Sequence, residues 1–155
     1  MSKSLKRVAR VLGDAGLPDT ICEPGEARTA EQAALACGCE IDQIVKSIIF
    51  AGETSGAIRL FLTAGGNRIC ADKASQLAGE ALGRADANLV RATTGFAIGG
   101  VAPIGHLTPS PLWMDPRLMD FATVWAAAGT PRHVFSIAPR MLMSLTSATL
   151  ADFVE

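Results

Sequence analysis

Lys46 is the first residue whose setting suggests chemistry. It lies in Gln43-Ile44-Val45-Lys46-Ser47-Ile48-Ile49-Phe50, a run with the composition of a strand that is apolar on both faces. Ile44, Ile48 and Phe50 share its face, and Val45 and Ile49 occupy the other. Burying an ammonium without a partner costs several kcal/mol, so an interior lysine marks a ligand or a buried ion pair. The alternative is a stem lying on apolar surface with its head in water. A second candidate is the loop Gly99-Gly100-Val101-Ala102-Pro103-Ile104-Gly105-His106. Its glycines let backbone approach a ligand, its proline stiffens the path, and its N–H groups can face a carbonyl oxygen that becomes negative in acyl transfer. An ordinary connecting loop is the plain alternative. The spacing is not a phosphate-binding fingerprint, since the Lys-Ser/Thr that would follow is missing.

His106 and His133 are the only histidines. Each can serve as a general base or as a residue with a local hydrogen bond. No Gly-x-Ser-x-Gly elbow is present. Cys37-Gly38-Cys39 lacks the two-residue spacer and the second ligand pair of a structural zinc site, so small buried thiols are expected there and no metal or cofactor.

These residues need a scaffold, and the sequence outlines one of α/β (α+β) type. The start, Met1 to Leu17, reads as an amphipathic helix with Leu5, Val8, Ala9 and Leu12 inward. It carries Lys3, Lys6, Arg7 and Arg10 but no apolar core, so a secretory signal is excluded; a transit peptide is the weaker alternative. Thr29, with Gln32 three residues on, opens a helix that stops at Gly38. Strands are expected at 44–50 and 58–63, a third at Asn67–Ala71, and a short helix at Lys73–Ala81. Asp86 caps a helix over Ala87–Thr93, ended by Gly95. The stretch 96–116 is rich in Gly and Pro and reads as mostly loop. Strands at Thr123–Ala127 and His133–Ile137 flank a Gly129-Thr130-Pro131 turn, and Pro139 opens a last helix through Leu145.

At 155 residues the chain is read as one domain, 1–155. Hydrophobic residues make up 49% and charged residues 19%, the balance of a globular chain. A formal charge of −1 excludes a long grip on nucleic-acid phosphates, and with it DNA as a partner, but leaves room for brief contact with an RNA end. No run approaches the roughly 20 apolar residues of a membrane span. Four scattered cysteines do not make a disulfide scaffold, which points to the cytoplasm.

Taken in order, Arg28-Thr29-Ala30-Glu31-Gln32-Ala33, Gln43 to Phe50, Gly95 to His106, Trp125 to Pro131 and Val134 to Pro139 resemble the YbaK/EbsC family, also called the prolyl-tRNA editing domain family. The resemblance spans nearly the whole chain. It implies a mixed, barrel-like sheet flanked by helices. It also implies a free-standing deacylase that hydrolyses, in trans, the ester between a wrong small amino acid and tRNA, most often tRNA for proline, without a cofactor. It places Lys46 in the pocket, with Gly100, Val101 and Ala102 holding the aminoacyl carbonyl through backbone. Ser47, Gly99, Pro103, Gly105, His106, Gly129 and Thr130 are the implied substrate-binding residues, His106 by shaping the loop. The acceptor end of a mischarged tRNA is the implied partner, and a prolyl-tRNA synthetase a second. Cysteine-specific members carry a serine just before the Ala-Gly of the last turn, where Ala127 precedes Ala128-Gly129 here. The implied amino acid is therefore small but not fixed. A non-catalytic module that binds an aminoacyl-tRNA end or a synthetase is the rival reading.

Overall fold

The computed structural model describes residues 2–25 and 27–155; Met1, at the edge of the first expected helix, and Glu26 lie outside them. Helix α1 (Lys3–Asp14) is capped by Ser2, whose side chain accepts from the Leu5 amide. Leu5, Val8 and Leu12 are buried, whereas Ala9, expected inward, is only partly covered. Helix α2 (Ala30–Cys37) starts at the Thr29 cap, whose side chain accepts from the Gln32 amide, and ends at Gly38 with φ 67°. That left-handed turn is the one a helix C-terminus asks of a glycine.

The sheet is built on strand β1 (Ile44–Gly52). On one edge it pairs along its length with antiparallel β2 (Ile58–Ala64), from Val45 opposite Ala64 to Ala51 opposite Ile58. Its other edge is shared. Strand β3 (Leu82–Arg84) takes Phe50 to Gly52 antiparallel, and β5 (Val124–Ala127) takes Ile44 and Val45 parallel. Residues 46–49 have no strand beside them there. Strand β4 (Leu112–Met114) runs parallel to β2, β7 (Thr149–Leu150) parallel to β4, and β6 (Val134–Ile137) antiparallel to β5. The result is a mixed seven-stranded sheet flanked by helices, the fold class expected.

Strand alternation sorts the apolar residues into two cores. Val45, Leu60, Leu62 and Ala64 join Val90, Phe96, Val101, Ala126, Phe135 and the buried face of α1 in the larger one. Phe61, Ala74 and Phe153, with Ile48, Phe50 and Trp113 against them, form the smaller one on the opposite face. The Phe61 and Trp113 rings stack there at 4.9 Å.

Two local expectations are corrected. Asn67–Ala71 is not a strand: Ile69 makes a single bridge to Val154, and helix α3 (Ala71–Ala78) has already begun. That helix ends at Ala78, three residues short of the expected Ala81, and the chain beyond pairs as β3. The stretch 96–116 is mostly loop as read, with Leu112–Met114 as strand β4, and a 3-10 turn follows over Pro116–Asp120. Helix α4 (Ala87–Thr94) follows its Asp86 cap, and α5 (Pro139–Thr146) opens on its proline, both one residue longer than read. No helix among the described residues is long and apolar enough to cross a membrane.

Candidate functional site

The gap in the sheet beside residues 46–49 opens into a cavity of about 500 Å³. Its floor is β1 from Ile44 to Ile49, and its ends are Arg84 and Ala85 beyond β3 and Trp125 to Ala127 of β5. Ala30, Ala33 and Cys37 of α2 close one side. Ile98, Gly99 and Val101 of the glycine loop, with Thr130 and Pro131, close the other. The lining is mostly apolar, with alanines among isoleucines, valines and Trp125, and Thr29, Ser47, Thr130 and His133 add polar groups. The charged side chains lining it among the described residues are Arg28, Lys46 and Arg84, all cationic. Burial pushes the Cys37 thiol up to about 11, so this wall is a neutral thiol at physiological pH.

Lys46 is half-buried, and its Nζ donates to the Asn67 carbonyl at 2.7 Å. Burial lowers its pKa from the usual lysine value, with Arg68 acting in the same direction and Glu31, Asp42 and Asp115 opposing. The acceptor is held in place from below. Asp115, 2% exposed, accepts from Asn67 Nδ2 at 2.8 Å, from the Ala64 amide at 3.1 Å and from the Arg117 amide at 3.0 Å. Asp42 accepts from the Gly66 amide and from Arg117 Nε, at 2.8 and 2.9 Å. The Gly65-Gly66-Asn67 turn is thus fixed by two carboxylates, and the lysine by the turn. Sequence reading missed Asn67, Asp42 and Asp115. An aspartate just before Pro116 that opens a short turn was the available signal for Asp115.

The glycine loop is fixed at both ends by one side chain. Arg7 of α1 donates through Nη2 to the Gly95 carbonyl at 2.7 Å and through Nε to the Gly105 carbonyl at 3.1 Å, with its guanidinium 4.6 Å from the Phe96 ring centroid. Inside the loop, the Gly100 amide donates to Ala97 O at 3.0 Å and Gly99 has φ 96°. That is the geometry of a type II turn, which needs a positive φ at its third residue. Gly100 has a different reason to be glycine. A Cβ there would lie 2.8 Å from Thr130 C, 2.9 Å from Thr130 Cα and 3.1 Å from Pro131 N. The two walls meet backbone to backbone.

Of the residues singled out beforehand, the structure brings Cys37, Lys46, Ser47, Gly99, Val101, Thr130 and His133 to the cavity. Gly100, Ala102, Pro103, Gly105, His106 and Gly129 stand behind it. The Gly100 amide is already committed to Ala97, and Ala102 is fully buried; of the three residues expected to hold the carbonyl, Val101 is the one that lines the cavity, beside Ile98 and Gly99 of the same loop. Gly129, with φ 98°, packs against the Ser4 carbonyl and Phe96, so its contribution is the turn that presents Thr130. The Thr130 hydroxyl is 2.7 Å from His133 Nδ1 and accepts from the His133 amide at 3.2 Å, which shapes that turn. His106 lines a separate hollow with Val11, Leu145 and Thr146. Its Nε2 is 2.6 Å from the Ala102 carbonyl, and since a carbonyl only accepts, Nε2 carries the proton. Burial lowers its pKa from the usual histidine value, with the Arg7 charge adding to the effect and the Ala102 hydrogen bond opposing. Ser47 Oγ is buried in the cavity floor with no hydrogen-bond partner among the described residues.

Comparison with known proteins gives a consistent picture. The family described as the aminoacyl-tRNA editing domain matches residues 24–145. YwhH of Bacillus subtilis, an uncharacterised protein, is 34% identical over 114 residues, covering 74% of this chain and 72% of its own. EbsC of Enterococcus faecalis, named as a candidate Cys-tRNA(Pro)/Cys-tRNA(Cys) deacylase, is 26% identical over 128 residues, covering 80% and 76%. A crystal structure described as that of a candidate trans-editing enzyme for prolyl tRNA synthetase superposes with a TM-score of 0.91 at 46% identity, covering 100% of this chain and 99% of that one.

Proposed function

The chain belongs to the aminoacyl-tRNA editing domain family, and from that premise we infer that it is a trans-acting deacylase that removes a mischarged small amino acid from tRNA. The single observation that carries this reading is the cavity: about 500 Å³, mostly apolar, with alanines on two of its walls and only cationic charge on its described lining. That volume falls in the range of sites that hold ligands of drug size, about 300–1,000 Å³, which suits an amino acid together with the terminal adenosine better than an amino acid alone. Arg28, Lys46 and Arg84 suit the phosphates of an RNA end. Helix α1 and strand β7 lie outside the matched residues 24–145 yet complete the core and the sheet, so residues 1–155 are read as one working unit.

An ester of tRNA is already reactive and needs no protein nucleophile. Water, oriented by the neighbouring ribose hydroxyl, attacks the aminoacyl carbonyl, and its proton passes to the departing ribose oxygen. The Val101 amide is assigned as one donor for the oxygen that becomes negative, a role worth about 10²–10³ in rate. Lys46, held by Asn67, adds a fixed positive charge in a site of low dielectric. His106 has no part in the proton transfer, since it does not reach the cavity. Small walls from Ala30, Ala33, Ala126 and Ala127 set which amino acid enters, and one methylene is worth only about 1–3 kcal/mol of discrimination.

Proline tRNA is the first substrate to test, because relatives are described as acting on it or with its synthetase. Proline tRNA charged in turn with alanine, cysteine, serine, threonine and 2-aminobutyrate, beside correctly charged prolyl-tRNA, is assayed for release of amino acid. At least one mischarged species is expected to be hydrolysed and prolyl-tRNA spared. Release from none, with aminoacyl-tRNA still bound, favours the binding module instead.

A further inference from the structure

The interruption in the sheet leaves backbone groups of β1 facing the cavity, and their identity follows from the ladder. Consecutive residues of a strand in antiparallel pairing turn their N–H and C=O to opposite edges. The Gly52 amide donates to Ala57 O, at the β2 side, and the Glu53 amide to Ala81 O, at the β3 side. Even-numbered residues of β1 therefore face β2, and odd-numbered ones face the edge shared by β5 and β3. The β5 pairing stops at Val45 and the β3 pairing at Phe50. Between them, Ser47 presents an amide and a carbonyl to the cavity, and Ile49 presents an amide. Among the described residues, no backbone hydrogen bond outside the strand pairs involves either residue.

We propose that this edge is the recognition site for the amino-acid moiety, which lies across it as a single residue of a parallel strand continuing the line of β5. In a parallel ladder a residue donates to the carbonyl of one neighbour and accepts from the amide two residues further on. An aminoacyl ester opposite Ile48 meets that pattern: its α-ammonium donates to Ser47 O, and its carbonyl accepts from the Ile49 amide. The length of the gap decides for one amino acid and against a peptide. Four residues of strand span about 13 Å at roughly 3.3 Å each, and the ends of β5 and β3 already occupy that line. The Ser47 hydroxyl, buried in the same stretch, is a further polar group with no hydrogen-bond partner among the described residues. The assignment rests on the deacylase reading and deepens it, because it names what the site recognises in every amino acid, leaving the cavity walls to sort side chains.

The test compares esters on one tRNA, alanyl against propionyl, which lacks only the ammonium, with each rate divided by the ester's spontaneous hydrolysis. The propionyl ester is expected to lose about 10–100-fold of the enhancement, the value of a hydrogen bond to a charged group. In parallel, the amide of Ile49 is replaced by an ester through incorporation of the matching α-hydroxy acid, and the same exchange is made at Phe61, which faces Ile48 across the β1–β2 pair and does not line the cavity. Both exchanges weaken the same ladder bond, the first at the Ile48 carbonyl and the second at the Phe61 N–H, so both should lower thermal stability modestly. Only the Ile49 exchange should lower turnover, since its N–H faces the cavity, and the Phe61 exchange should leave turnover near wild type. Equal enhancement for both esters, or full activity in the Ile49 ester protein, overturns the assignment alone. A wild-type protein that hydrolyses no mischarged tRNA overturns the deacylase reading and this one with it.

Discussion

Replacing Gly100 by alanine puts a methyl group where there is only backbone to receive it. The added Cβ would sit 2.8 Å from Thr130 C and 2.9 Å from Thr130 Cα, so no side-chain rotation on the facing turn makes room. One wall must move. Overpacking of this kind costs about 1–3 kcal/mol, and in a chain of 155 residues each kcal/mol lowers Tm by about 2–4 °C; the expected fall is therefore about 2–12 °C. The displaced neighbour is Val101, which lines the cavity and is assigned above as a donor to the substrate carbonyl, and losing one well-placed donor lowers turnover by about 10²–10³. Val101→Ala is the control, because it keeps the amide and removes only apolar bulk; it should stay within a few-fold of wild type. Steady-state deacylation on mischarged tRNA, with thermal unfolding followed by circular dichroism, reads both effects. A Gly100→Ala protein with wild-type Tm and wild-type turnover refutes the backbone-to-backbone contact and the role drawn from it. A lowered Tm with intact turnover would keep the contact and reject the Val101 donor.

Lys46→Ala should lose deacylation by about 10² or more while its circular dichroism spectrum stays that of wild type; full activity in that variant removes the lysine from the mechanism. His106 titrates in the fold below its usual value, so the unfolded chain takes up its proton first as pH falls. Stability should therefore decline as pH drops below about 6.5 and level off beneath the folded pKa. His106→Asn should flatten that decline in Tm against pH, with turnover unchanged between pH 6.5 and 8; a rate that follows a neutral titration lost in the variant would make His106 the base. Asp115→Ala strands three donors, each costing about 1–3 kcal/mol, so Tm should drop and KM rise as the Asn67 acceptor of Lys46 loosens. An Asp115→Ala protein as stable as wild type would contradict the network.

Local chemistry made the helix starts legible. The Thr29 and Asp86 caps and the proline at the head of α5 act within a turn of themselves, so neighbours in sequence suffice to place them. Strand β1 was equally plain from its apolar run. The short strands were not: β4 has three residues and β7 two, and β4 exists because β2 offers an edge far away in sequence, β7 because β4 then offers the next. Asn67–Ala71 misled for the same reason in reverse. Its residues have strand-like neighbours, but Asp115 and Asp42 hold the preceding turn and Cys70 already caps α3. In the site, residue types pointed to Lys46 and to the glycine loop as places of interest. They could not tell which amide of the loop was spoken for, because the Gly100 bond to Ala97 depends on the turn and not on any side chain.

The Arg7 clamp has a bearing on how such a protein can change. A loop tied at Gly95 and Gly105 by a guanidinium from another element keeps its ends in register whatever lies between them. The closure entropy of that segment is met once, from outside, so a residue of the loop that does not reach the core need not help to hold the fold together. Ile98, which lines the cavity and is exposed, can then be exchanged for larger or smaller side chains while the framework stays put. New substrate preferences are accessible through single substitutions at a wall whose anchorage does not have to be reinvented, and the helix that supplies the anchor becomes the part of the molecule least free to drift.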